Sequence, residues 1–295
     1  MRRHGEPLPL GDDGHPYSKG LMARALIAVG MTEDAAHELA LRIEEEMVAR
    51  GDVPVDLERV EELAGDDEVM HRLRRYIELR ELDVPVIVLI GGATGTGKST
   101  VATELAYRLG ITRVTSTDFI RQTMRAFFSR KFMPSIHYSS FEAAGALRRP
   151  DEATDPAIAG FLEQSRNVLV GVRASLDRAL EEGWSMVLEG VHLVPGLVEM
   201  PRAARGAIVA QCVLSIEEAE NHAGNFYVRD ATSAGVRPVR KYLDHYDEIR
   251  RIQEDIVARA ARHRVPVLEA SNLEGAVTCV LDLVLAASER MQKVT

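Results

Sequence analysis

Residues 84–100 read VPVIVLIGGATGTGKST, and this stretch decides the fold. Val84–Ile90 is a short run rich in β-branched residues with Pro85 near its start. Broken at Gly91-Gly92, it predicts a strand buried on both faces, followed directly by a helix. Gly92, Gly97, Lys98 and Ser99 match G-x-x-x-x-G-K-[ST], the phosphate-binding P-loop. Consecutive backbone N–H groups must curl around phosphate oxygens, and side chains at the glycine positions would block that approach. Gly92, Ala93, Thr94, Gly95, Thr96, Gly97, Lys98, Ser99 and Thr100 are therefore the expected ATP cradle. Lys98 is placed to reach the β- and γ-phosphates and Ser99 to bind Mg²⁺, while the helix N-terminus adds the positive end of its dipole. An ordinary Gly-rich turn is the alternative, and the pattern is rare by chance in a chain of this length.

The 295 residues are long enough for two domains, or for one large domain with an appendage. With 46% hydrophobic and 27% charged residues the composition is that of a soluble globular protein. A formal net charge of −9 argues against a general nucleic-acid or membrane-surface binder, because both need a dominant basic face. No apolar run approaches the ~20 residues of a membrane span, and Arg24 interrupts the apolar stretch 21–31 that could imitate a signal peptide. Cys212 and Cys279 sit among apolar neighbours and are expected to be buried thiols. A cytoplasmic location follows, and a homo-oligomer is left open.

Gly and Pro crowd residues 1–16, which predicts an extended tail. Helical periodicity is expected over 18–30, over 32–50 with Thr32 as cap, over 53–63 and over 68–82. This makes residues 1–80 an all-helical unit, separable from the chemistry, ahead of an α/β domain at 81–295. Strands are expected at 111–115, 186–188, 207–214 and 265–268, and helices at 118–128, 155–182 and 275–288. The predicted architecture is a parallel sheet flanked by helices.

Ligands in open α/β sheets bind beyond the carboxyl ends of the strands. Asp118 falls at such an end, and projection of 118–128 as a helix puts Arg121 and Arg125 on its face. Guanidinium forks suit an acceptor carrying phosphate or carboxylate, whereas a solvated face with a helical ion pair is the plainer alternative. Residues 129–150 lack periodicity; their His137, Ser139 and Ser140 suit an acceptor-binding flap or a plain surface loop. Glu189 ends the third strand where P-loop proteins hold Mg²⁺, although Asp is more usual there. His192 follows as a candidate for the same cleft. Arg229, Arg237 and Arg240 lie on a segment after the fourth strand that is expected to be a mobile lid, where arginines offset charge as a phosphoryl group moves.

PYSKGLMARAL, GGATGTGKST, STDFIRQTMR, SIHYSSFEA, LEGVHLVPG, RPVRKYL, IRRIQEDIV and VPVLE, in this order across most of the chain, resemble the 2-phosphoglycerate kinase family. The resemblance implies a nucleoside-monophosphate-kinase-like domain behind an ATP-cone-like helical region, to which residues 15–31 are similar. It implies ATP and Mg²⁺, a small phosphorylated acceptor, and formation of 2,3-bisphosphoglycerate from 2-phosphoglycerate. Within it, Lys98, Asp118, Arg229 and Arg237 take catalytic roles, and Ser99 and Glu189 hold the metal. Asp118, Arg121, Arg125, His137, Ser139, Ser140, His192 and Arg240 take acceptor roles. HAGNFYVRD stands where a more basic lid is expected, which leaves open another acceptor such as a polyol phosphate or a nucleoside monophosphate. A nucleotide-sensing regulator without turnover is the reading from another class.

Overall fold

The computed structural model describes residues 17–51, 55–147, 155–232 and 239–292. Four helices come first: α1 (Lys19–Ala28), α2 (Glu33–Ala49), α3 (Leu57–Ala64) and α4 (Asp67–Glu81). Local chemistry fixes their ends. Ser18, Asp56 and Asp66 accept first-turn N–H groups with their side chains, and Gly65 closes α3 in the left-handed conformation. Thr32 stands at the start of α2 without a capping hydrogen bond, where Glu33 and Asp34 meet the positive dipole end instead.

The α/β part then runs β1 (Val86–Gly92), α5 (Lys98–Leu109), β2 (Val114–Ser116), α6 (Thr117–Phe127), α7 (Pro156–Glu181), β3 (Met186–Glu189), β4 (Ile208–Ser215), α8 (Ala219–Thr232), α9 (Val239–Leu243), α10 (Tyr246–His263), β5 (Val267–Glu269) and α11 (Leu273–Gln292). Short 3₁₀ turns at Ser135–His137 and Ser140–Ala146 shape the segment between α6 and α7. Among the described residues the strands form one parallel sheet in the order β2-β3-β1-β4-β5, with β1 at its centre.

Alternate residues of β1 feed opposite layers, as the pleat requires. Ile87 and Leu89 meet Val168, Val172 and Leu176 of α7 on one face. Val86, Val88 and Ile90 meet Leu105 of α5 and Leu281 of α11 on the other. Met22, Leu26 and Leu73 belong to this second cluster, so the N-terminal helices share the core of the sheet. Arg72 pairs with Asp282 at 2.9 Å, Arg75 pairs with Glu289, and the Tyr76 hydroxyl donates to the Arg108 carbonyl.

Several elements differ from expectation for local reasons. β2 starts at Val114 because Gly110 caps α5 in the left-handed conformation and the Ile111 N–H donates back to the Ala106 carbonyl. The segment expected as a mobile lid begins as helix α8, with His222 and Phe226 fully buried. Cys212 is buried as expected, whereas Cys279 is exposed. Among the described residues no helix is long and apolar enough to cross a membrane.

Candidate active site

The loop from β1 to α5 is shaped by backbone that only glycine adopts easily. Gly92 has φ 135°, and a Cβ there would lie 2.3 Å from the Leu214 carbonyl oxygen of β4. Gly95 has φ 93° and no room beside the Phe226 ring, 2.6 Å from where its Cβ would stand. The resulting turn delivers Lys98 and Ser99 to the first turn of α5, which carries no acidic residue. The helix itself therefore offers an anion its positive dipole end with no acid in the first turn. Lys98 is buried, its Nζ donating to the Ala93 carbonyl and, at 3.3 Å, to Thr96 Oγ1.

Sheet register sets the next group. Glu189 pairs with Ile90 of β1 on one side and with Ser116 of β2 on the other, so the ends of β2 and β3 stand level beside β1. Ser99 Oγ donates to Glu189 Oε1 at 2.9 Å across this junction. The expected metal pair thus meets in space, 90 residues apart in sequence. A hydroxyl and a carboxylate beside a phosphate cradle form an oxygen donor set suited to Mg²⁺, which keeps waters and phosphate oxygens as its other ligands.

Ser116 caps α6 by accepting from the Phe119 N–H, and the helix then presents Asp118. Its carboxylate, 58% exposed, lines the same cleft as Lys98, Ser99 and Glu189, a space of about 430 Å³. Burial works against its charge, but Arg121 above all holds the carboxyl below the usual range. Asp118 is therefore an ionised acceptor at neutral pH. Thr94, Gly95, Gly97 and Thr100 line the cleft with it, and Asn225 and Val228 of α8 close one side.

The remaining predicted residues divide. Arg121 is buried, donating Nε to Asp118 Oδ1 at 3.1 Å and Nη1 to the Ile136 and Tyr138 carbonyls at 2.9 Å each. It faces the 135–138 turn and Asp118, while Arg125 is exposed, held by Gln122 Oε1, and stands outside the cleft lining. His137 is turned to the Phe128 carbonyl. Ser139 Oγ accepts from Lys241, and Ser140 Oγ lies 3.4 Å from Thr94 Oγ1, which ties this turn to the phosphate loop. His192 is fully buried with both ring nitrogens occupied, by Thr117 and Gln164, so it is not a surface that touches a ligand here. Arg240 is exposed beside Asp244. Arg229 lies in α8 with its side chain outside the described residues, as is all of Arg237.

Three residues of α8 went unread in the sequence. His222 Nε2 donates to the Thr94 carbonyl at 2.8 Å, Asn225 Nδ2 donates to the Gly95 carbonyl at 2.8 Å, and Phe226 packs on Gly95. Their i, i+3, i+4 spacing marks a helix face, and the HAGNFY pattern could have shown it. Gln164 on α7 was also missed, because a lone amide in an apolar stripe carries no periodic signal.

No protein-family model matches the chain. Curated proteins do. The 2-phosphoglycerate kinase of Thermococcus kodakarensis is 38% identical over 283 residues, covering 94% of this chain and 95% of its own. That of Methanothermobacter thermautotrophicus is 39% identical over 264 residues, covering 86% and 85%, and that of Methanopyrus kandleri is 35% identical over 275 residues, covering 91% and 84%. The chain belongs to the 2-phosphoglycerate kinase family. The likeness runs through both the N-terminal helices and the sheet, so the family spans the shared core described above. A solved structure from Chloroflexus aurantiacus covers 72% of this 2-phosphoglycerate kinase family member with a TM-score of 0.34 and 14% identity, too distant to bear on the site.

Proposed function

We propose that the chain transfers the γ-phosphoryl group of ATP to the free hydroxyl of 2-phosphoglycerate, giving 2,3-bisphosphoglycerate and ADP. The observation that carries this reading is one cleft at the strand ends that holds Lys98, the Ser99–Glu189 pair and Asp118 together, in a member of this family. In the transfer, a bond forms from the acceptor oxygen to phosphorus, the bond to the bridging oxygen of ADP breaks, and the hydroxyl proton passes to the Asp118 carboxylate as the new bond forms, and from there to solvent.

The residues need only position groups and stabilise charge. Backbone N–H groups of residues 92–100 hold phosphate oxygens, and Lys98 exchanges its loop carbonyl for them. Ser99 and Glu189 hold Mg²⁺, directly or through its waters. When bound, Mg²⁺ supplies positive charge against the oxygens that become more negative in the transfer. Asp118 accepts a hydrogen bond from the acceptor hydroxyl; its lowered pKa suits orientation more than full deprotonation beforehand. Arg121 keeps Asp118 in place, Arg125 at the exposed end of α6 turns from Gln122 to the acceptor's anionic groups, and Arg229, Arg237 and Arg240 serve as lid cations. The first experiment is ATP consumption with a panel of phosphorylated acids, polyol phosphates and nucleoside monophosphates. Preference for 2-phosphoglycerate supports the reading, and ATP binding without turnover of any acceptor contradicts it.

A further inference from the structure

Gln164 sits in the middle of α7, on the stripe that carries Phe161 and Val168, and is fully buried. An amide in such a place must satisfy its polar atoms. Its Nε2 donates to the carbonyls of Ser135 at 2.6 Å and Tyr138 at 3.0 Å. Carbonyl oxygens only accept, which fixes the amide nitrogen on that side and turns Oε1 toward His192 Nε2, 3.0 Å away. His192 therefore carries its proton on Nε2, and its Nδ1 accepts from the Thr117 hydroxyl at 2.8 Å. Thr117 is the neighbour of Asp118. On the opposite side, Arg121 donates both to the Tyr138 carbonyl and to Asp118.

The bonds close a ring through Thr117, His192, Gln164, Tyr138, Arg121 and Asp118. Each donor in it meets an acceptor. The 3₁₀ turns of 135–146 lie against α7 at backbone distance: at Gly160, one turn before Gln164, a Cβ would fall 2.4 Å from the Ala143 carbonyl carbon. Gly190, just before His192, is equally constrained, since a Cβ there would meet Thr117 Oγ1 at 1.9 Å. A leucine at 164 would fill the stripe as well as glutamine does, but would leave the His192 Nε2–H unpaired and cut both bonds from this position to the 135–138 turn, whose carbonyls would keep only the Tyr138 N–H and Arg121. Packing alone does not explain the amide.

We propose that Gln164 is a positioning residue for the phosphoryl acceptor, holding the 135–140 turn and the Asp118 end of α6 in one geometry from beneath the cleft. The proposal rests on the kinase reading above. It implies that disturbing Gln164 is felt in acceptor use while the nucleotide cradle, built from separate backbone groups, is spared.

The test is Gln164→Met, which keeps the side-chain length and removes the hydrogen bonds, assayed with 2-phosphoglycerate varied at saturating ATP and then the reverse. Expected is a tenfold or larger fall in kcat/KM for the acceptor, with the KM for ATP within twofold. A double-mutant cycle with Thr117→Val should be non-additive, the double variant losing no more than about the worse single one, because both cut the same ring. Hydrogen exchange of the full chain should quicken at 135–140 in Gln164→Met and stay unchanged at 92–100. Acceptor kcat/KM within twofold, equal losses for both substrates, or additive effects would overturn the proposal. If the unmodified protein does not phosphorylate 2-phosphoglycerate, the substrate reading fails and the exchange pattern decides on Gln164. Should Gln164→Met not fold, unchanged exchange of 135–140 in Thr117→Val would overturn it equally, and faster exchange there would support it.

Discussion

Ser99 Oγ and Glu189 Oε1 stand 2.9 Å apart, joining the first turn of α5 to the end of β3, where Glu189 pairs with Ile90 of β1. Glu189→Gln keeps the shape of this contact and removes its charge. We expect kcat to fall roughly 10²-fold, in line with losing one preorganised electrostatic group, and the Mg²⁺ concentration for half-maximal rate to rise. A Mg²⁺ titration of the initial rate checks this; an unchanged titration would remove Glu189 from the metal site.

Two buried histidines make stability fall with acid. Burial pushes His192 down to about 4 and also lowers His222. Above the ordinary histidine value of about 6.5 neither state holds the proton; below it the unfolded chain gains protons that the folded chain refuses. Stability is thus lost through His192 as pH falls from about 6.5 toward 4, by about 3 kcal/mol in all, and His222 adds to the loss in the same direction. Paired carboxylates such as Glu46 and Glu61 have lowered values and act only at lower pH. Urea unfolding at pH 7 and pH 5 should show the loss, and His192→Asn should show less of it.

The sheet was legible because its central strand is an apolar run rich in β-branched residues and the loop after it has a fixed glycine spacing. That Ser99, Glu189 and Asp118 meet in one cleft was legible because topology brings strand ends together. Arg121 and His192 were named for ligand contact, and the structure turns both inward, since a helix projection gives a face but not the neighbour that occupies it. Gln164 was not legible for the same reason, and the spacing of His222 and Asn225 could mark a helix face but not the loop carbonyls of Thr94 and Gly95 that they bind. The separability of residues 1–80 was inferred from their lack of phosphate-binding pattern, and a shared apolar core leaves no such mark either.

That shared core makes a prediction of its own. Removing residues 1–80 strips Met22, Leu26, Ile43, Leu73 and their neighbours from the layer over α5 and α11. Single truncations of buried leucine there should cost about 2–5 kcal/mol, and Leu26→Ala should lower the unfolding midpoint of the whole chain in one transition. A protein starting at Glu81 is expected to aggregate or unfold readily. Calorimetry showing two independent transitions, or a stable and active truncated chain, would contradict this.

Arg125 is exposed two turns along α6 from Asp118, with Gln122 as its neighbour. Arg125→Ala should raise the KM for the acceptor about tenfold to a hundredfold, the weight of one or two charge-assisted hydrogen bonds, with little change for ATP. Lysine should restore only part, as a point charge cannot reproduce the planar fork. Equal effects on both substrates in steady-state kinetics would remove Arg125 from the acceptor site.

The most direct test is ³¹P NMR of the unmodified protein with ATP, Mg²⁺ and 2-phosphoglycerate, beside a folded Lys98→Ala protein. The account predicts resonances of 2,3-bisphosphoglycerate growing in step with ADP for the first protein and absent for the second. ADP and inorganic phosphate without the bisphosphate, or an equal rate of bisphosphate formation in Lys98→Ala, would contradict it.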